Sequence, residues 1–186
     1  FLAATGGSAQ SLTFVFTQPR TLYAQWTALS NGCDLRFNGV GGTFQLQDNL
    51  TTGSTRTTTL TNGTLDLNGK TYNSGTSFVT AAGTKNLTFN GGTLVCPAVT
   101  TTAFNNAVPT GFTTTAGTGT GKISMTGATA KTFVGGGSTY RCTLEQAGAG
   151  ALTISGSNSF DNISNSVQPT TITFTAGTTQ TLTGWS

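Results

Sequence analysis

The chain has 186 residues, a formal net charge of +3, and charged side chains at only 7% of its positions, against roughly a quarter in an ordinary soluble domain. It contains 26 Gly, 12 Phe and no His, and threonine is its most frequent residue. Because β-branched and turn-forming residues outnumber strong helix formers, this composition excludes an α-helical or α/β protein. The 35% hydrophobic content also argues against intrinsic disorder.

Residues 1–32 predict a β-hairpin that caps the rest of the chain or docks onto a neighbouring chain. Residues 12–16 and 22–26 each have the alternating pattern of a short strand, and Pro19 lies in the predicted turn between them. A cap of this kind would cover the open apolar end of a stacked repeat.

A strand motif recurs through residues 33–186: apolar, polar, apolar, small polar, Gly. It occurs at 35–39, 65–69, 87–91, 123–127 and 152–156, and with one extra residue at 172–177. The alternation is typical of a strand with one buried face, and the Gly permits a sharp corner after it. Repetition of this unit predicts an all-β protein, a parallel β-helix (β-solenoid) of about six coils.

Stacking the motifs in axial register predicts ladders of like residues. The first apolar positions would form one inward ladder: Leu35, Leu65, Leu87, Ile123, Leu152 and Ile172. The second apolar positions would form another: Phe37, Leu67, Phe89, Met125, Ile154 and Phe174. At the fourth position, Asn38, Asn68 and Asn90 would stack their side-chain amides. Arg36 and Asp66 would be axial neighbours that form a surface ion pair.

Residues 97–120 interrupt the spacing of the motifs. The segment holds two of the four Pro residues together with many Thr and Gly residues. We expect a lateral insertion or an irregular extra coil here, on the surface, where binding residues are commonly found.

The three cysteines, Cys33, Cys96 and Cys142, are odd in number and have no His to accompany them. This inventory favours neither a disulfide scaffold nor a structural zinc site. We expect buried thiols, with one disulfide plus one free thiol as the alternative, and we expect no metal or cofactor.

The side chains of the common catalytic machineries are missing. Without His, the chain can form no Ser-His-Asp triad or Cys-His dyad. Glycoside hydrolysis needs two carboxylates that face one cleft, and the motif alignment brings only Asp34 and Asp66 near each other. We therefore expect a non-enzymatic protein, with a polysaccharide-degrading enzyme as an alternative.

The distribution of charge and of apolar residues limits the partners. The basic residues are scattered singly rather than clustered, so we expect no nucleic acid partner. No apolar run approaches the length of a transmembrane helix, and we expect no membrane insertion. No signal peptide is visible, and the final residues resemble the middle of a motif, so we expect a fragment of a longer polypeptide.

Three segments carry a family resemblance: residues 122–140, 152–166 and 171–185 (for example LTISGSNSFDNISNS at 152–166). They resemble the Thr/Gly-rich β-helical repeats of bacteriophage virion and appendage proteins, and also those of some secreted bacterial adhesins. The resemblance covers residues 33–186 and includes no catalytic motif.

The resemblance implies a structural or receptor-contacting part of a tail fibre, spike or capsid surface, located in the virion or outside the cell. The partners it implies are other virion or surface proteins, further copies of the chain, with a trimer as one arrangement, and a host-surface glycan. A secreted or cell-surface bacterial adhesin of the same fold is the alternative.

Overall fold

The structure is a computed structural model that describes residues 12–15, 21–24, 34–97 and 102–186. These residues contain eighteen strands and no helix. The strands are β1 (Leu12–Val15), β2 (Thr21–Ala24), β3 (Leu35–Leu46), β4 (Leu50–Thr51), β5 (Thr57–Asp66), β6 (Thr71–Asn73), β7 (Ser77–Thr80), β8 (Lys85–Thr88), β9 (Thr93–Cys96), β10 (Thr102–Asn105), β11 (Phe112–Thr115), β12 (Lys122–Met125), β13 (Lys131–Val134), β14 (Thr139–Gln146), β15 (Leu152–Ser155), β16 (Ser159–Asn165), β17 (Ile172–Phe174) and β18 (Thr181–Leu182).

The strands stack into three faces, and every pairing between described strands is parallel. The first face contains β1, β7, β10, β13, β15, β17 and the first halves of β3 and β5. The second face contains β2, β8, β11, β18, the second halves of β3 and β5, and the first parts of β14 and β16. The third contains β4, β6, β9, β12 and the remainders of β14 and β16. The chain visits the faces in turn, which confirms the predicted parallel β-helix, or β-solenoid.

The structure has about seven coils, where the sequence predicted about six. The difference lies in residues 97–120, because β10 pairs with both β7 and β13, and β11 pairs with β8. Of the two alternatives, the lateral insertion is wrong, and the described part of this segment builds the extra coil of the stack. Phe104 provides the physical reason, since it fills the buried position between Phe78 and Phe133.

The two N-terminal strands do not form the predicted hairpin. β1 and β2 both pair in parallel with β3, with Leu12 opposite Leu35 and Thr21 opposite Thr43. Two strands that are each parallel to a third cannot be the antiparallel arms of a hairpin. They extend the first and second faces by one more strand each, and the rest of residues 1–32 lies outside the described residues.

The two predicted apolar ladders are wrong as single rows. The first divides among the faces: Leu35, Leu152 and Ile172 on the first, Leu65 and Leu87 on the second, and Ile123 on the third. The second divides in the same way: Phe37, Ile154 and Phe174 on the first face, Leu67 and Phe89 just after second-face strands, and Met125 on the third. The pairs Leu65–Leu87, Leu152–Ile172 and Ile154–Phe174 do lie opposite each other.

The Gly-terminated motif failed to identify a face because each coil turns corners between three faces. A strand followed by Gly can precede any of these corners, so successive copies of the motif need not lie above one another. The motif still identified the interior: of the twelve residues, all except Leu35, Ile172 and Phe174 are buried.

The predicted asparagine ladder is also divided. Asn62 lies opposite Asn38 and donates from Nδ2 to its Oδ1 at 2.8 Å. Asn68 and Asn90 both adopt the left-handed backbone conformation, with φ of 49° and 47°. The Asn90 amide donates to Asp66 Oδ1 at 2.9 Å rather than to another amide. Stacked amides therefore join Asn38 to Asn62, and the other two residues turn a different corner.

An aromatic stack fills the first face from the inside. Phe78, Phe104 and Phe133 lie face to face, with ring centroids 5.6 Å and 4.6 Å apart along the row. Tyr140 approaches from the second face and meets Phe133 edge-on at 5.0 Å, and it stacks on Phe160 at 5.2 Å. This cluster fixes the interior directly behind β14.

Candidate functional site

The second face is interrupted between coil four (β10, β11, β12) and coil five (β13, β14). Among the described strands, β11 pairs with β8 on one side but has no backbone pairing with β14 on the other. The Thr114 hydroxyl bridges the two strands instead, donating to Thr139 O at 3.0 Å and accepting from the Arg141 N–H at 2.7 Å. A groove of about 620 Å³ opens at this interruption, and we call it the wall groove.

Short polar side chains and bare backbone line the wall groove. Its lining residues are Pro109, Thr110, Phe112, Thr113, Thr114, Gly136, Gly137, Ser138, Thr139 and Arg141. Five of these carry hydroxyl groups, and one carries a guanidinium. The aromatic ring among them, Phe112, is buried. Hydroxyl groups, backbone groups and one guanidinium are the hydrogen-bonding groups that this surface offers to a ligand.

The alternation of β14 sets the direction of the groove's side chains. Thr139 and Arg141 are exposed, whereas Tyr140 and Cys142 point into the core and are buried. The Tyr140 hydroxyl donates to Gly135 O at 2.7 Å. Burial raises the pKa of Tyr140 above its usual value, so the hydroxyl keeps its proton and remains a donor. Core packing thus holds the strand that presents Arg141.

A buried asparagine organises the lip of the groove. Asn106 is fully buried, and its Nδ2 donates to Gly135 O at 3.1 Å and to Ser138 Oγ at 2.9 Å. Gly136 and Gly137 follow in the left-handed conformation, with φ of 64° and 76°. Two consecutive residues of this kind require glycine, because a side chain would strain both positions. The lip is therefore a defined turn.

Arg141 has a partner on the next coil. Its Nε lies 3.4 Å from Asp161 Oδ1, and the two side chains are 57% and 38% exposed. The terminal nitrogens of the guanidinium have no hydrogen-bond or ion-pair partner among the described residues. The side chain is oriented by one contact and keeps most of its donors available.

The carboxylates that a hydrolase would need serve other contacts. Asp34 accepts from the Thr57 N–H at 2.9 Å, beside the first face. Asp66 ends a second-face strand and accepts from Gln45 Nε2 at 3.0 Å and from Asn90. The predicted approach of Asp34 to Asp66 is therefore not found, since the two belong to different faces.

Arg36 lacks the ion pair that the sequence predicted, whereas Glu145 forms one with a lysine. Arg36 lies opposite Thr59 on the first face, so the predicted ion pair with Asp66 is wrong. Glu145 Oε1 pairs with Lys122 Nζ at 3.0 Å, and its Oε2 accepts from Ser124 at 2.7 Å. Burial acts to raise the pKa of Glu145, but hydrogen bonds from Ser124, Lys122 and Ser166, together with the charge of Lys122, outweigh burial and lower the pKa.

Two buried lysines close corners of the coils without a carboxylate partner among the described residues. Lys131 is 1% exposed, and its Nζ donates to Gly127 O at 2.9 Å and Gly150 O at 2.7 Å. Lys85 donates in the same way to Thr110 O at 3.0 Å. Burial lowers the pKa of both side chains. They satisfy buried carbonyls and so serve the fold rather than a binding site.

The thiols of the described cysteines are buried and unpaired. Cys96 and Cys142 are free, as expected for thiols that pack in the core, and Cys33 lies outside the described residues. Burial raises the pKa of Cys96 to about 12 and that of Cys142 well above its usual value. Across the described ranges, no group of three or more Cys, Asp or Glu side chains could hold a metal ion.

Fold and site together define a class: a parallel β-solenoid with a groove in one wall. No family model, no curated protein and no solved structure matches this chain. Within the described residues there is no helix of sufficient length and apolarity to cross a bilayer.

The sequence analysis expected binding residues within 97–120, and five lining residues lie there: Pro109, Thr110, Phe112, Thr113 and Thr114. It missed the lining residues of 136–141, because Arg141 carries no motif and reaches the groove where backbone pairing between β11 and β14 is missing. The available signal was the alternation of residues 139–142, which places Arg141 on the outside next to the turn at Gly136 and Gly137.

Proposed function

We propose that this β-solenoid is a non-enzymatic, receptor-contacting structural part of a bacteriophage particle, and that its wall groove contacts a host-surface glycan. The resemblance of residues 33–186 to phage β-helical repeats supports the assignment of the chain to a bacteriophage particle. The wall groove supports the proposed contact with a host-surface glycan, and this groove is the observation that carries the proposal. Expected partners are other virion proteins and further copies of the chain.

The contents of the groove support binding without catalysis. Glycosidases act through two carboxylic side chains on opposite sides of the scissile bond. The wall groove has no carboxylate among its lining residues. Asp34, Asp66 and Glu145 each hold a backbone or side-chain partner elsewhere. Hydroxyls and backbone groups on a rigid strand provide recognition rather than acid–base chemistry.

The rigidity of the wall supports a role as a particle component. Tyr140, Phe133 and Phe160 pack directly behind the groove. A binding surface that is ordered before its ligand arrives loses little conformational entropy on binding. A stack of parallel coils therefore suits both a structural part and a preformed contact surface.

The particle assignment can be tested by mass spectrometry of purified virions and of cell envelopes, with an antibody to residues 122–186 as an independent probe. We expect peptides of the chain in the virions and antibody labelling of intact particles. Peptides found only in cell envelopes would contradict the proposal and favour the adhesin. Release of reducing ends from a glycan panel would contradict its non-enzymatic part.

A further inference from the structure

The wall groove has one formal charge among its lining residues, and we propose that it selects saccharides that bear a carboxylate group. This inference rests on the proposed function, because it names the class of glycan that the groove receives. Arg141 is the charged residue in the lining, and its partner Asp161 lies outside the lining. A ligand in the groove therefore meets the cation directly.

The geometry of Arg141 suits a carboxylate. Contact with Asp161 uses the Nε side of the guanidinium, at 3.4 Å. The two terminal nitrogens, free of partners among the described residues, form the other edge of the planar group. Such an edge binds a carboxylate through two parallel, charge-assisted hydrogen bonds. The Asp161 contact orients the side chain beforehand and reduces the entropy lost on binding.

The groove offers no aromatic surface on which a neutral sugar could stack. Phe112 is 7% exposed, and Tyr140 is fully buried. Hydrogen bonds between neutral groups replace hydrogen bonds to water, so they add little net free energy of binding. A hydrogen bond to a charged group adds more. The discrimination between glycans therefore depends on Arg141.

The remaining lining residues suit the hydroxyl groups of a sugar ring. The side chains of Thr110 and Thr139 have no hydrogen-bond partner among the described residues. Ser138 Oγ accepts from Asn106 and its hydroxyl also interacts with Tyr140, so this side chain belongs to the lip. Gly137 lacks a side chain, so a ring can approach the backbone of the lip.

The test uses a panel of acidic and neutral oligosaccharides of two to four sugars, with uronate and sialate members as separate acidic arms. Titration calorimetry at low and high ionic strength compares the parent chain with Arg141→Gln. The matched control is Arg36→Gln, which removes an exposed arginine from the first face. Unfolding curves check that both variants are folded.

We expect the acidic oligosaccharides to bind. The Arg141→Gln change should weaken their affinity about 10- to 100-fold, as the loss of a charge-assisted hydrogen bond predicts. Added salt should also weaken binding, and Arg36→Gln should leave it unchanged. Equal binding of neutral members, unaffected by Arg141→Gln, would overturn this inference and leave the proposed function standing. An equal loss in Arg36→Gln would overturn it too. Failure of every member to bind would overturn both this inference and the glycan contact of the proposed function.

Discussion

Coils four and five are joined closely on the first face and loosely on the second. On the first face, β10 and β13 pair through their backbones, and Phe104 lies on Phe133 at 4.6 Å. On the second face, one Thr114 hydroxyl links β11 to β14, and the wall groove opens. The third face is closed again, because β12 pairs with β14. A solenoid can thus open one wall between two coils while the other two walls maintain their spacing.

Removing the aromatic contact on the closed face should have the largest effect. We expect Phe104→Ala to lower the free energy of unfolding by about 3–5 kcal/mol, because it leaves a cavity between two buried rings. Urea denaturation followed by circular dichroism measures this change. Thr113→Ala, at an exposed position on the open face, should stay within about 0.5 kcal/mol of the parent. Similar values for the two variants would contradict the contrast between the faces.

Removing the Tyr140 hydroxyl tests the support behind the groove. Tyr140→Phe keeps the ring contacts but leaves Gly135 O and Asn106 Nδ2 without one buried partner. We expect a loss of about 1–3 kcal/mol in the free energy of unfolding. Thr139→Val, on the exposed side of the same strand, is the control. No loss in Tyr140→Phe would show that the hydroxyl is solvated and that the groove reaches the core.

The two described thiols show whether water enters through the open wall. Burial raises the pKa of Cys96, on the closed third face, to about 12. For Cys142, behind the groove, burial and then the charge of Asp161 raise the pKa well above its usual value. A thiol of the unfolded chain ionises near pH 8.5. The stabilising contribution of each buried thiol is therefore complete below about pH 8.5 and decreases as the pH rises toward the folded pKa.

Between about pH 8.5 and 10, each buried thiol should cost roughly 2 kcal/mol of stability, at a full slope of about 1.4 kcal/mol per pH unit. Urea denaturation across this range compares the parent with Cys96→Ala and Cys142→Ala. Each substitution should remove the part of the decrease in the free energy of unfolding that its thiol causes. All other ionisable groups are the same in the three chains, so their contribution cancels in the comparison. A decline that Cys96→Ala reduces and Cys142→Ala does not would show that water reaches Cys142.

Removing the single hydroxyl bridge should have the smallest effect. Thr114→Val preserves shape but leaves Thr139 O and the Arg141 N–H to bond with water in the groove. We expect a loss of about 1 kcal/mol in the free energy of unfolding. Thr110→Val is the control, because the Thr110 side chain has no hydrogen-bond partner among the described residues, and it should change stability by less. If the two variants lose the same amount, the bridge does not link the coils.

The sequence predicted the class of fold because its signals are local. Alternation at 152–155 and a following Gly156 describe a strand and a corner whichever face they occupy. The assignment of strands to faces is not local, since Leu65 and Ile123 carry the same motif on different faces. Which strand lies opposite which depends on the length of every corner between them, and the motif does not encode that length.

Only part of the candidate site, within residues 97–120, could be predicted, for a related reason. Arg141 was visible as one of several scattered basic residues, and Thr114 as one of many threonines. Their juxtaposition arises where backbone pairing between β11 and β14 is missing. An interruption in a ladder is a property of two distant segments together, so neither segment signals it alone.

The central claim, that successive coils stack in axial register, can be tested with engineered cysteines in a chain whose native cysteines are replaced by alanine. Thr132 and Thr153 lie opposite each other on adjacent first-face strands. Neighbouring strands are about 4.8 Å apart, within the roughly 4.4–6.8 Å that a disulfide spans between Cα atoms. Thr173 lies one coil beyond Thr153 in the same row. Mass spectrometry of the oxidised monomer should show a disulfide for Thr132→Cys with Thr153→Cys and free thiols for Thr132→Cys with Thr173→Cys. A disulfide in the second variant, or in neither, would contradict the stacking.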